Sequence, residues 1–173
     1  MAIQTLIIVD MLNDFIDPKG ALYCGSSSRT IVPFIRERLD HYRRQNGLII
    51  FLQDAHDPDD KEFEKFPPHC IKGTWGDRII DELSPLAGEH IIPKKRYSGF
   101  YETNLGALLR SYCIDTVEVV GVCTSICVMD TVGGLSNRDY SVVVPEKGVA
   151  DLDPNFHHFS LKRMEQIYGA TII

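Results

Sequence analysis

Cys127 stands where a thiol can be made nucleophilic. It follows the apolar run Val117-Glu118-Val119-Val120 through Gly121-Val122-Cys123-Thr124-Ser125-Ile126, and an apolar-periodic stretch carrying Ile126, Met129 and Val132 begins there. A strand, a glycine, Thr124 and Ser125 as possible caps, and then a helix place this thiol in a first helical turn. There the helix dipole and unpaired N–H groups favour a thiolate and can cradle a developing oxyanion. Such a nucleophile needs a base for its proton and gains from a cation that favours the ionised form. Asp10 and Lys94, each at the end of another apolar run, are available for those tasks. The spacing between Cys123 and Cys127 is not a strong metal signature, so the Cys123 side chain reads as filler and its backbone N–H as the useful group.

A second concentration of chemistry follows Leu48-Ile49-Ile50-Phe51-Leu52. Asp54-x-His56 is a workable pair of metal ligands, and a further His and a Glu along the same loop can complete a mixed nitrogen and oxygen site. Spacing alone leaves two readings open, a metal site and an acidic, solvated loop. A calcium loop fits less well, because histidines are poor partners for a hard cation.

These residues need elements that bring them together. Leu6–Val9, Leu48–Leu52, His90–Ile92, Val117–Val120 and Ser141–Val144 read as strands, with Ala170–Ile173 as a possible last one. Most hardly alternate apolar with polar residues, as parallel strands covered on both faces do not. Helices are predicted over about Arg29–Gln45, Asp77–Leu83, Asn104–Arg110, Ser125–Asn137 and Phe156–Ile167. In the first, Ile31, Phe34, Ile35 and Leu39 form an apolar stripe, while Arg36, Glu37, Arg38 and Arg43 are expected to face away. The alternation predicts a three-layer αβα sandwich around a doubly wound, mainly parallel sheet of about six strands, in one domain over 1–173. In such sheets ligands bind beyond the carboxyl ends of the strands. Each polar strand-end residue has a bland reading alone, as a turn residue, a solvated charge or a packed thiol. Their convergence on one edge, at Asp10, Asp54, Lys94 and Cys127, argues for a site.

Composition narrows the partners. With 173 residues, 44% of them hydrophobic, the chain can bury a core without a structural metal or disulfide. A net charge of −6 argues against nucleic acid or an anionic membrane as the main partner. No apolar run reaches the ~18 residues of a membrane span. Five cysteines, an odd number without a secretory leader, predict a reduced, cytoplasmic protein.

Five segments in order resemble the isochorismatase-like cysteine hydrolases, and within them the nicotinamidase branch. They are Val9-Asp10-Met11-Leu12-Asn13-Asp14-Phe15, Asp54-Ala55-His56, Phe66-Pro67-Pro68-His69-Cys70-Ile71-Lys72-Gly73-Thr74, Lys94-Lys95-Arg96-Tyr97-Ser98-Gly99-Phe100, and Gly121-Val122-Cys123-Thr124-Ser125-Ile126-Cys127-Val128. The resemblance implies a catalytic triad of Asp10, Lys94 and Cys127. It also implies metal ligands at Asp54, His56, His69 and Glu62, with Glu64 as the fallback for the last. A cis peptide between Val122 and Cys123 would turn the Cys123 N–H toward an oxyanion beside that of Cys127, and Phe15, Phe66 and Tyr97 would line the substrate pocket. Two positions depart from the family pattern: Leu12 stands where Gln is usual, and Ser125 where Asp is usual.

The implied activity is hydrolysis of nicotinamide to nicotinate and ammonia, a step of NAD salvage, through a thioester on Cys127. One divalent metal ion would orient the ring; zinc suits two histidines and carboxylates, and iron or manganese fits an octahedral site. The partner is a small amide, and the family commonly forms oligomers. The alternatives are a sister amidohydrolase acting on a carbamoyl or ureido compound, and a silent binding protein that kept the fold.

Overall fold

The structure, a computed structural model, describes residues 4–173. Residues 1–3 of the predicted domain lie outside the described residues. Among the described residues seven strands form one sheet: β1 (Thr5–Val9), β2 (Leu48–Asp54), β3 (His90–Lys94), β4 (Thr116–Val122), β5 (Ser141–Val144), β6 (Val149–Ala150) and β7 (Thr171–Ile172). Their order is β3-β2-β1-β4-β5-β7, with β6 paired to β4, and every pairing is parallel. The sheet thus has one strand more than the six expected, because two-residue β6 is too short to carry a periodicity.

The side chains of β1 alternate between two cores. Leu6 and Ile8 point to one, where they meet Ile35 and Leu39 of α3 (Val32–Arg44) beside the short helices α1 (Asn13–Ile16) and α2 (Gly25–Thr30). Ile7 and Val9 point to the other, formed with Leu105 and Leu109 of α4 (Leu105–Ser111), Val132 and Leu135 of α5 (Met129–Ser136), and Leu161 and Met164 of α6 (Pro154–Gln166). Each fully buried Leu or Ile contributes roughly 1.5–3 kcal/mol.

Local sequence explains the corrections to the predicted helices. The helix expected over Arg29–Gln45 is broken near Ile31, and Pro33 sits in the first turn of the second piece, where its missing N–H costs no helical hydrogen bond. Asp153 caps α6 by accepting the Asn155 N–H at 2.7 Å, again with a proline next in sequence. The stretch expected at Asp77–Leu83 is helical only as a single tight turn, Asp81–Leu83. Arg38 does not face away: it donates to both oxygens of Glu118 at 2.7 and 2.6 Å, supplying the partner that a carboxylate inside β4 requires. Among the described residues no helix is long and apolar enough to cross a membrane.

The order reverses at β1, which has β2 on one side and β4 on the other. That switch point opens a crevice at the carboxyl ends of the strands. β1 and β4 meet closely here: Gly121 has φ +123°, and a Cβ on it would lie 2.1 Å from the Val9 carbonyl oxygen.

Candidate active site

Asp10 leaves β1 with φ +51°, a left-handed conformation costly for a side-chain-bearing residue. Its Oδ1 accepts the Asp54 N–H at 3.0 Å, which ties the ends of β1 and β2. Asp54 and Lys94 are register partners at the ends of β2 and β3. The Lys94 Nζ therefore falls among three groups: Asp10 Oδ2 at 2.8 Å, Asp54 Oδ1 at 3.0 Å and Cys127 Sγ at 3.4 Å. All four residues are buried. The structure thus brings the predicted Asp10, Lys94 and Cys127 into one cluster and adds Asp54 to it.

Cys127 lies on a wide helical turn, Thr124–Val128, which leads into α5. The Val128 N–H reaches back five residues to the Cys123 carbonyl at 3.2 Å, and such wide turns are frequent at functional sites. The Val122–Cys123 peptide is cis. Thr124 and Ser125 do not cap this turn with their side chains. The carboxylate of Asp151, beyond β6, instead accepts the Ser125 N–H at 2.7 Å, while the Thr124 hydroxyl pairs with His157 Nδ1 at 2.9 Å.

Burial shapes the electrostatics of the cluster. Desolvation pushes the Asp10 carboxyl up to about 6, with Lys94 opposing the shift and Asp54 adding to it. Desolvation also pushes the Cys127 thiol above its usual range, with Lys94 opposing the shift and Asp10 adding to it. Lys94 stays charged: burial would lower it, but Asp10 and Asp54 hold it well above the usual lysine range. Burial would raise Asp54, yet Lys94, His56 and His69 together hold it far below the carboxylate range.

The second oxygen of Asp54 faces the histidines. Oδ2 lies 3.0 Å from His56 Nε2 and 3.5 Å from His69 Nε2, and ligand atoms of the three residues lie within 4.8 Å of one another. The other ring nitrogens are engaged elsewhere: His69 Nδ1 donates to the Pro67 carbonyl at 2.7 Å, and His56 Nδ1 pairs with Asp60 Oδ2 at 3.1 Å. Both rings therefore turn Nε2 toward the same carboxylate. Burial alone would lower His56, but Asp54 and Asp60 hold it up to about 9, a preference for positive charge at this spot.

Glu62 is buried on the short turn Lys61–Glu64, lines the same cleft, and has an Oε2 without a hydrogen-bond partner. Glu64 is exposed. Two imidazole nitrogens and the Asp54 carboxylate form a donor set suited to a divalent cation such as zinc, and Glu62, whose Oε2 is the orphaned buried oxygen, lines the same cleft outside that close cluster.

The cleft above these groups is small, with about 60 Å³ of enclosed space, and opens to solvent at its mouth. The predicted Phe15, Phe66 and Tyr97 line it, joined by Leu22 and Leu152, which the sequence reading did not single out, and by Ile126, expected only as part of an apolar helix face. Cys24 also lines it, 3.2 Å from Cys123 sulfur to sulfur. Phe63, likewise missed, stacks edge-on against His56 and His69, with centroids 5.4 and 5.6 Å away. No sequence signal links Cys24 to Cys123 across 99 residues. Phe63 and Asp60 were discoverable only as neighbours of predicted ligands in the acidic loop.

The isochorismatase domain family model matches residues 4–173. The nicotinamidase/pyrazinamidase PncA from Bacillus subtilis superposes with a TM-score of 0.94 at 32% identity, covering 98% of both chains. N-carbamoylsarcosine amidase from Thermoplasma acidophilum gives 0.89 at 36% identity, over 98% of this chain and 95% of that one. A pyrazinamidase of Pyrococcus horikoshii in complex with zinc gives 0.92 at 27% identity, over 98% of each. With a thiol, a lysine and an aspartate gathered at the switch point of a parallel sheet and a family match along all the described residues, the chain belongs to the isochorismatase family of hydrolases.

Proposed function

We propose that the chain hydrolyses nicotinamide, or a close heteroaromatic amide such as pyrazinamide, to the carboxylate and ammonia. One observation carries the substrate class: the cleft beside Cys127 is walled by Phe15, Phe66 and Tyr97, and no Arg or Lys is among its lining residues. Its charged lining groups are the carboxylates of Asp10, Asp54 and Glu62 together with His69. A flat, neutral amide suits such walls. N-carbamoylsarcosine carries a carboxylate, for which the cleft lining supplies no guanidinium or ammonium partner.

Asp10 takes the Cys127 proton, and its raised affinity for that proton suits a base working near neutral pH. Lys94 offsets the charge that develops on sulfur 3.4 Å away. The sulfur attacks the amide carbon, and the backbone N–H groups of Cys123 and Cys127 receive the oxyanion. Its collapse expels the amine as ammonia, with the proton returned by Asp10, and leaves a thioester. Asp10 then takes a proton from water as it attacks the thioester, releasing the acid and restoring the thiol. Asp54, His56 and His69, with Glu62 beside them, would hold a divalent cation, which would supply a Lewis-acidic position suited to a heteroaromatic ring nitrogen. Zinc in the Pyrococcus horikoshii relative supports this reading of the donor set.

The test is ammonia release from nicotinamide, pyrazinamide and N-carbamoylsarcosine by protein of known metal content. Nicotinamide turnover that falls on chelation and returns with zinc is expected. Preferential turnover of N-carbamoylsarcosine, independent of metal, would replace this reading with that of a carbamoyl amidase.

A further inference from the structure

His56 and His69 differ in what holds their rings. His69 Nδ1 is fixed by a backbone carbonyl of its own loop. The backbone of His56 is pinned by its N–H to the Cys70 carbonyl and its carbonyl to the Lys72 N–H, both at 2.9 Å, but its ring is held behind by a side chain, that of Asp60. The Asp60 carboxylate is only 5% exposed. Its Oδ2 meets His56 Nδ1 at 3.1 Å, its Oδ1 accepts the Glu62 N–H at 2.9 Å, and Arg96 Nη1 lies 3.1 and 3.0 Å from the two oxygens. One carboxylate thus touches one candidate ligand through its ring and another through its backbone. Arg96 anchors it from the segment that continues β3 beyond Lys94.

We propose that Asp60 is the positioning residue of the metal site, fixing His56 with Nδ1 protonated and Nε2 free for the ion while setting the turn that carries Glu62. This rests on the cluster being a metal site. A carboxylate accepts and cannot donate when ionised, so it selects the tautomer with hydrogen on Nδ1. The ligand nitrogen is then the one facing Asp54.

Asp60→Asn separates this role from mere packing. Its amide oxygen can keep the Glu62 N–H, but its NH2 then faces His56 Nδ1 and favours the tautomer with hydrogen on Nε2, the ligand atom. Zinc affinity, measured by competition with a chromophoric chelator, is expected to fall roughly 10–100-fold, while the thermal midpoint of the metal-free protein changes little. Arg96→Gln leaves the carboxylate in place and should weaken zinc binding about fivefold or less, because a partly exposed ion pair contributes modestly. Nitrogen-15 spectra of histidine in the zinc-loaded wild type should show His56 protonated at Nδ1 and metal-bound at Nε2.

Zinc affinity of Asp60→Asn within about twofold of wild type overturns the proposal while leaving the metal site standing. The opposite His56 tautomer in the wild-type spectrum overturns it too, whether or not the variant folds. Failure of the wild type to bind zinc removes the metal site and this role together.

Discussion

Strand β4 has a buried ionic cluster at each end, and the two are built on opposite plans. Near its start, Glu118 has both oxygens bound by Arg38 and accepts a further hydrogen bond from the Tyr42 hydroxyl at 3.0 Å. Acceptors and donors match, and the group docks α3 onto the sheet. Beyond its far end, Cys127 joins a cluster in which one ammonium is shared by two carboxylates and a thiol. There Asp10 Oδ2 touches Lys94 without an aligned hydrogen bond, and Glu62 Oε2 has no partner at all. A buried polar group kept for structure is satisfied; one left incomplete has a place for a ligand or a reacting atom.

Substitutions at the two ends should therefore separate activity from stability. Cys127→Ala should lower ammonia release by more than roughly 10⁴-fold with an unchanged circular dichroism spectrum. Residual turnover near wild type would mean another nucleophile. Asp10→Asn should cost roughly 10²–10⁴-fold in kcat/KM. It also removes a carboxylate from beside Asp54, so denaturant unfolding should show equal stability or a gain of up to about 1 kcal/mol. A clear loss would put Asp10 among the structural carboxylates, with Glu118.

Arg38→Met should do the reverse. It strands Glu118 in the core, and because the Arg38 side chain is 29% exposed the cost should be about 2–3 kcal/mol, below the 3–5 of a fully buried pair. Urea unfolding measures it, and kcat should stay within about twofold of wild type. The smallest effect is expected at Lys65, an exposed lysine whose ammonium donates to the Tyr97 hydroxyl at 3.0 Å. Lys65→Ala should shift KM for nicotinamide by less than roughly threefold, and a much larger shift would show that a rim cation recognises the substrate.

The satisfied end of β4 was the harder one to read from sequence. Glu118 looked like a blemish in an apolar run, and nothing in the spacing of α3 separated Arg38 from Arg36, which lies exposed. The active end was easier, because parallel strands deliver their terminal residues to one edge. Asp10, Lys94 and Cys127 could be picked by position, and motif resemblance sorted Lys94 from Lys95. Glu62 and Glu64 were separable only once the turn buried one and exposed the other. Asp60 stayed hidden among Asp57 and Asp59, since composition does not say which acid of a run turns inward. The contact between Asp54 and Lys94 arises from the β2–β3 register, which no local pattern encodes.

That contact makes Asp54 a shared conductor between two kinds of chemistry. One oxygen holds the ammonium beside the thiol, and the other faces the imidazoles. A cation drawn to the imidazoles would compete for the charge that steadies Lys94, which would make thiol reactivity and ion affinity linked quantities. Reciprocity then requires that whatever factor the ion imposes on thiolate formation, ionising the thiol imposes on ion binding.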